Sequence, residues 1–264
     1  MSAVPRRLQG LVAVVTGGNQ GIGRAIAERF GAEGARVFLC DRNDAHFAEI
    51  ARGIAQAGSE AAGRTGDVTR PGDLEAIMAA AVERFGPLDV LVNAAGIFES
   101  RRFLDYALED WNRMLAVNVT GTMLASQAAL RHMVPRGRGK IVNLSSVAGR
   151  LGGRFRAGYS TSKHAVIGLT RCLATEFAEH GITVNAICPG MVDTEMFTNL
   201  VAQDAELAGE RDAAGVHARL MQRALLHRMI RPAEIAALAA YLASPDADAM
   251  TGQAVTLDGG MVMQ

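Results

Sequence analysis

At 264 residues the chain is long enough for one large α/β domain, and its 49% hydrophobic and 20% charged content is that of a folded globule, not of a disordered chain. Twenty-seven Lys and Arg balance 27 Asp and Glu, so the formal charge is zero, which speaks against nucleic acid or a membrane surface as a partner. The longest apolar stretches, such as 11–15 and 235–243, are far too short to span a bilayer.

The N-terminal stretch carries two arginines but no long apolar segment, so no signal peptide is expected and the cytoplasm is the expected location. From there short apolar runs alternate with helical patterns. Buried strands are expected over 12–15, 37–40, 88–92, 140–144, 182–187 and 254–257, with a weaker one ending at Asp67. Between them, apolar spacing of 3.6 residues predicts helices over 23–33, 73–85, 111–132, 157–180 and 233–242. Such alternation implies βαβ units, a parallel sheet and helices on both faces. One segment breaks the rhythm: residues 191–228 form a long excursion where about 2–6 residues would be usual. A lid over a site is the natural reading, with Met191, Met196, Phe197 and Leu200 as its apolar face. Cys40, Cys172 and Cys188 are odd in number, widely spaced and set in apolar sequence, as reduced core thiols would be; none forms a metal-ligand pair.

The first strand runs into Thr16-Gly17-Gly18-Asn19-Gln20-Gly21-Ile22-Gly23, and a helix follows. Glycines there allow a tight turn and let the backbone approach a pyrophosphate at the positive end of the new helix. The second strand ends at Asp41, where an acid can accept hydrogen bonds from the adenosine ribose hydroxyls. It would repel the extra phosphate of NADP: two unit charges about 4 Å apart, at an effective dielectric near 20, interact by roughly 4 kcal/mol. NAD is therefore the expected cofactor. Arg42, next in the chain, could instead greet a 2′-phosphate and leave NADP possible, and a helix N-cap is the other reading of Asp41.

Further on, Asn143-Leu-Ser145-Ser146-Val-Ala-Gly149 closes a strand, and Tyr159-Ser-Thr-Ser-Lys163 opens a helix 13 residues after Ser146. Positions four apart share a helix face, so Tyr159 and Lys163 can point into one cleft beside Ser146. With these residues the chain resembles the short-chain dehydrogenase/reductase family in its roughly 250-residue branch. The resemblance runs from Gly10 to Leu257-Asp258-Gly259-Gly260. Its pieces stand in the family's order: the TGxxxGIG turn, Asp67-Val68, Asn93-Ala94-Ala95-Gly96, Asn118, Ser146, Tyr159 with Lys163, and Pro189-Gly190 followed by Thr194.

The resemblance implies a single-domain Rossmann fold over residues 1–264, with a doubly wound parallel sheet of about seven strands. It also implies a role for each matched residue. Tyr159 transfers the proton at the substrate oxygen, Ser146 hydrogen-bonds that oxygen, Lys163 contacts the nicotinamide ribose and depresses the tyrosine pKa, and Asn118 holds a water in the relay. Gly17, Asn19, Gln20, Gly21, Ile22 and Gly23 cradle the cofactor. Asp67 and Val68 contact adenine, and Asn93, Ala94 and Gly96 form the turn beside the cofactor. Thr194 meets the nicotinamide carboxamide, with Pro189, Gly190 and Val192 before it. Family members usually form tetramers or dimers, so a homo-oligomer is implied as well.

Bringing a tyrosine from about 10 to near 7 needs about 4 kcal/mol, of which an ammonium about 5 Å away supplies roughly 3 kcal/mol at an effective dielectric near 20. The expected substrate is a small secondary alcohol, polyol or hydroxyketone, by likeness to sugar-alcohol and acetoin-type members. Reduction of a 3-oxoacyl thioester is the alternative. A non-catalytic NAD-sensing regulator on the same fold is the reading from another class, and the intact Ser146, Tyr159, Lys163 and Asn118 argue against it. Arg150, Arg154 and Arg156 lie in the loop before Tyr159. Arg154 or Arg156 could grip a carboxylate or phosphate on the substrate, since guanidinium suits both; a solvated or subunit-contact loop is the alternative. His164, His217 and His227 form no metal pattern.

Overall fold

The computed structural model describes residues 6–209 and 213–263. The N-terminal residues 1–5 and residues 210–212 of the long segment expected over 191–228 lie outside the described part. Seven strands form one parallel sheet: β1 (Val12–Thr16), β2 (Arg36–Asp41), β3 (Ala61–Thr65), β4 (Val90–Asn93), β5 (Gly139–Leu144), β6 (Ile182–Pro189) and β7 (Ala254–Leu257). Their order across the sheet is β3-β2-β1-β4-β5-β6-β7, the doubly wound arrangement expected from the alternating pattern. The order reverses direction between β1 and β4, so the chain leaves both strands at their carboxyl ends in opposite senses and opens a crevice there.

Six of the seven strands stand where the apolar runs predict them. The weak strand is β3, and it stops at Thr65, two residues before Asp67. It sits at the sheet edge, where its last three residues are exposed, so little burial enforces its length.

Helices cover both faces: α1 (Gly21–Ala32), α2 (Phe47–Gln56), α3 (Pro71–Phe85), α4 (Leu108–Leu115), α5 (Gly121–Met133), α6 (Ala157–Phe177), α7 (Glu195–Ala208), α8 (Ala213–Met221) and α9 (Pro232–Ala243). One core packs Ile26, Phe30, Ile235 and Ala239 of α1 and α9 against one face of the sheet. The other packs Leu74, Ile77, Met78, Ala125 and Ala129 of α3 and α5 against the opposite face. The helix expected over 111–132 differs: it begins at Leu108 and is interrupted by a π-helical turn over Ala116–Thr120. Such turns insert one residue into the helical ladder and re-aim the side chains around it, and this one contains Asn118.

The long segment after β6 is not irregular chain. It holds α7 and α8 around a small core of its own, in which Met191, Phe197, Val201, Ala205, Val216 and Ala224 are buried. Two of the three cysteines, Cys40 and Cys188, are core thiols as expected, while Cys172 is exposed on α6. Burial pushes the Cys40 thiol up to about 12, which keeps it protonated and inert. Among the described residues, no helix is long and apolar enough to cross a membrane.

Candidate active site

A cavity of about 550 Å3 occupies the crevice at the carboxyl ends of β1 and β4, lined at one end by Gly17, Gly21, Asp41 and Arg42 and at the other by Tyr159, Lys163 and Met196. The glycines are required by close approach. A side chain at Gly23 would begin 2.0 Å from the Gly17 carbonyl oxygen, and one at Gly17, itself at φ 66°, would meet the Ala95 backbone at 2.7 Å. The turn after β1 is thereby pressed against the turn after β4. Helix α1 opens on the cavity at Gly21, and no side chain caps its first N–H groups. Free N–H donors at the positive end of a helix are what a pyrophosphate needs.

Asn19, 3% exposed, does not line the cavity. Its amide binds Asn43 and accepts the His46 N–H, at 2.6 and 2.9 Å, which ties the glycine turn to the loop after β2. Asp41 receives the backbone N–H groups of Asn19 and Arg42 at 3.2 and 2.7 Å, so each carboxylate oxygen already has one donor and lone pairs to spare. Arg42 beside it is exposed on the cavity rim. Asp67 is held by the backbone N–H and hydroxyl of Thr69, at 2.9 and 2.7 Å. Those hydrogen bonds, the backbone one foremost, keep its carboxyl below the usual range despite partial burial. Val68, Ala94 and Gly96 complete this wall. The donor set, the glycine clearances and the uncapped helix together fit a nicotinamide dinucleotide.

Asn93 does not line the cavity. Its amide donates to Ser126 and Asn143 at 3.1 and 2.8 Å, and Asn143 donates on to Thr170 at 2.9 Å, a buried polar chain crossing the sheet. Asn118 is likewise turned away. Its side-chain oxygen accepts the Ile97 N–H at 2.8 Å, and its NH2 donates to the Ile97 carbonyl and the Ser162 hydroxyl, both at 3.0 Å. The amide the sequence assigns to a water is therefore spent on the backbone of the β4 turn.

At the far end, Ser146 starts a 3-10 turn after β5 and its hydroxyl accepts the Ala148 N–H at 3.1 Å. The same hydroxyl hydrogen-bonds the Tyr159 phenol. Lys163 is only 6% exposed, donates to the Leu144 carbonyl at 2.7 Å and stands 5.6 Å from the centre of the tyrosine ring. Burial pushes its ammonium down to about 8. Burial also raises the Tyr159 phenol above its ordinary value, more than Ser146 and the Arg156 charge lower it. Lys163, expected to depress the phenol, is not among the groups that lower it here. A low-dielectric pocket disfavours both charged forms at once, so in this arrangement the lysine shares the desolvation instead of relieving it.

Pro189, Gly190 and Val192 sit behind the cavity wall. Gly190 is pressed on Asp258, where a side chain would meet the backbone at 2.7 Å, and Val192 bridges to Ile230. Thr194 lines the cavity and caps α7 by accepting the Phe197 N–H. Of the apolar residues opening the long segment, Met196 faces the cavity, while Met191 and Phe197 turn into the segment's own core. Arg154 is exposed and stacks on Phe155 at 4.5 Å. Arg156 is ion-paired to Asp204 of α7 at 2.6 Å, so its charge is already matched by a carboxylate of the chain. His164 is exposed and its ring meets the Ser160 carbonyl at 2.9 Å.

Residues the sequence did not single out also stand here. Ile97, Ser145, Asp193 and Glu195 line the cavity, and Phe98 meets the Tyr159 ring edge-on at 4.9 Å between centroids. Position alone signals them: each flanks a motif residue by one or two places.

The sequence profile of the short chain dehydrogenase family matches residues 11–205. The short-chain reductase protein NovJ of Streptomyces niveus is 43% identical over 249 residues, 94% of this chain and 93% of its own. Sorbitol dehydrogenase of Cereibacter sphaeroides is 38% identical over 96% of this chain and 98% of its own. A crystal structure of an actinorhodin polyketide ketoreductase variant with NADPH superposes with a TM-score of 0.91, at 41% identity, covering 95% of this chain and 97% of that one. A profile and relatives spanning nearly the whole length leave one assignment: the chain belongs to the short-chain dehydrogenase family, whose members use NAD or NADP.

Proposed function

We propose that the protein interconverts a secondary alcohol and its ketone, with a bound nicotinamide dinucleotide supplying or accepting the hydride. One observation carries the reading. The Tyr159 phenol, hydrogen-bonded by Ser146 and backed by the Lys163 ammonium, faces the same cavity as an uncapped helix N-terminus. A binding module would need only the second half of that arrangement.

In the direction of reduction Tyr159 gives its proton to the substrate oxygen, and Ser146 holds that oxygen by a hydrogen bond. Lys163, near 8, keeps a proton at neutral pH and stands ready to stabilise the phenolate left behind. Asn118 fixes Ile97 and, through Ser162, the backbone carbonyl of Tyr159, which the Ser162 hydroxyl meets at 2.7 Å. A relay water on Asn118 would therefore bind its main-chain carbonyl. Segment 191–228 acts as the lid, with Met196 over the reacting carbon. NAD is the preferred cofactor, because Asp41 retains lone pairs for ribose hydroxyls and repels a 2′-phosphate; Arg42 leaves NADP accessible.

The substrate is a neutral polyol, diol or hydroxyketone. Apolar Ile97 and Met196 line the cavity with Tyr159, Phe98 meets its ring edge-on, and the Arg156 guanidinium beside Phe98 is paired within the chain. Reduction of a 3-oxoacyl thioester is the second reading, favoured by the 41% identity to a polyketide ketoreductase. We further infer a cytoplasmic homotetramer. Phe103 and Leu104, in a 3-10 turn before α4, and Leu108 at its first position stand exposed, Leu104 at 96%, an apolar face that a second copy would cover.

The test is nicotinamide absorbance with NAD and NADP in parallel, against polyols, diols, cyclic alcohols, their ketones and 3-oxoacyl thioesters. Tyr159→Phe should lower kcat by about 10²–10⁴-fold and leave cofactor binding near the wild-type value. Turnover of thioesters with NADPH alone would select the second reading. Tight cofactor binding with no turnover of any member would make the protein a sensor.

A further inference from the structure

Helix α7 is tied to the loops around Tyr159 by four contacts that the reaction as proposed does not use. Asp204 accepts the Ser100 hydroxyl and a guanidinium nitrogen of Arg156, each at 2.6 Å. Gln203 accepts the Ser100 N–H at 2.8 Å, and Arg102 reaches the Leu207 carbonyl at 2.6 Å. The Arg156–Asp204 pair is largely withdrawn from water, with side chains 17% and 13% exposed. Its inner end abuts the site: the guanidinium lies 5.9 Å from the Phe98 ring, which itself stands edge-on to Tyr159. Among the described residues the buried Arg156 Nε has no hydrogen-bond partner, so there the guanidinium's charge is met on one side only. The backbone is held to this arrangement as well. Phe155 occupies the left-handed region at φ 63°, a costly place for an aromatic residue, and its carbonyl accepts the Arg101 N–H at 2.8 Å.

We propose that Asp204 is a positioning residue: through Arg156 it sets how much positive charge stands against Tyr159, so that the seating of α7 governs proton transfer inside the cavity. The inference rests on Tyr159 being the acid/base. The charged and titratable groups around the tyrosine are few. Lys163 lies on its own helix, Asp193 and Glu195 line the cavity with it, and Arg156 precedes it. Glu99, on the loop beside Phe98, is already engaged by Arg101 and Arg113. Arg156 acts on the phenol in the lowering direction, and Asp204 is the one carboxylate paired with it among the described residues. When α7 is seated, Asp204 mutes Arg156; when α7 lifts, the bare cation favours the phenolate.

Two substitutions then have opposite signs. Arg156→Met removes the cation and should move the Tyr159 titration to higher pH. Asp204→Asn keeps volume and the Ser100 bond but bares the cation, and should move it to lower pH, each by ~0.5 unit or more. Tyrosinate absorbance near 295 nm, with Tyr159→Phe as the blank, reads this directly and needs no substrate. The pH limb of kcat/KM should follow in the same directions. The double variant Arg156→Met/Asp204→Asn should titrate with Arg156→Met. Gln203→Ala loosens α7 without touching a charge, and should move the titration to lower pH, in the same direction as Asp204→Asn but by less. Shifts of one sign in both single variants, no shift in either, or a Gln203→Ala titration that stays in place or moves to higher pH would overturn the proposal. Because the titration is independent of turnover, a protein without activity still answers the question, and an active protein with an unmoved titration sinks this inference alone.

Discussion

Lys163 is a residue the fold would be more stable without. Its ammonium is nearly all removed from water and meets one carbonyl, and burial brings it from 10.5 to about 8. The unfolded chain keeps its proton up to about 10.5, so between about 8 and 10.5 the unfolded state binds more protons, and stability rises with pH across that window. Below it the folded state carries a cost of about 3 kcal/mol relative to a neutral side chain. Lys163→Met removes that cost but orphans the Leu144 carbonyl, which returns about 1 kcal/mol. The variant should therefore be inactive yet more stable at pH 7, by about 1–2 kcal/mol, with the gain vanishing as pH nears 10. Thermal denaturation across that range checks it; a constant difference at all pH values would show that charge is not the cause. The sequence makes Tyr159, Lys163 and Ser146 legible because local spacing places them, two on one helical turn and one closing a strand. Phe98 and Asp204 have no such pattern. Asp204 meets Arg156 48 residues away, and only the seating of α7 brings them together.

Among the elements, α7 has the clearest start signal. Thr194 adopts extended geometry and its hydroxyl accepts the Phe197 N–H, so one side chain both begins the helix and lines the cavity. Loss of such a cap costs about 1 kcal/mol. Thr194→Ala should fray the first turn, carrying Met196 with it and raising KM several-fold, while global stability changes by no more than the cap itself. Hydrogen exchange of the amides after 194, measured with KM, tests this; protected amides with a raised KM would assign the effect to the lost hydroxyl in the cavity instead. The apolar residues at the head of α7 read as one lid face in the sequence, yet a helix distributes them around its axis. Met196 goes to the cavity and Phe197 to the segment's own core. Helix α2 was legible and not singled out: Phe47, Ile50 and Ile54 are buried at helical spacing, but ten residues between a loop and an edge strand make a short pattern. The π turn at Ala116–Thr120 has no signal at all, because a ladder with one extra residue is set by what Asn118 must reach across the fold.

At the scale of the whole molecule, alternation in the sequence dictates a parallel sheet, but not that β1 lies between β2 and β4, since parallel pairing leaves no mark in either strand. That order divides the molecule into a chemical end, where the strands finish, and a structural end, where they begin. Glu33 belongs to the second. It follows α1, about 18 Å along the axis from the glycine turn, and its carboxylate is buried between Arg7 and Arg29, at 2.7 and 2.6 Å. Burial raises its pKa, but the hydrogen bonds and charges of the two arginines prevail and the carboxyl lies below 4.5. Its contribution to stability is thus fully present above about 4.5 and is lost as pH falls through the depressed folded value. Asp67 and Glu234, the latter held at about 2 by Arg228, titrate in the same sense, so acid unfolding should begin below about pH 4.5. Glu33→Gln should lower the urea midpoint at pH 7 and flatten its decline toward pH 3, because one of the carboxylates that releases stability on protonation is gone. An unchanged slope would assign acid sensitivity to the other two. Its kcat/KM at pH 7 should match wild type, since the substitution lies at the far end of α1 from every residue that faces the cavity. A loss of activity without loss of stability would mean that the two ends of the sheet are not mechanically separate.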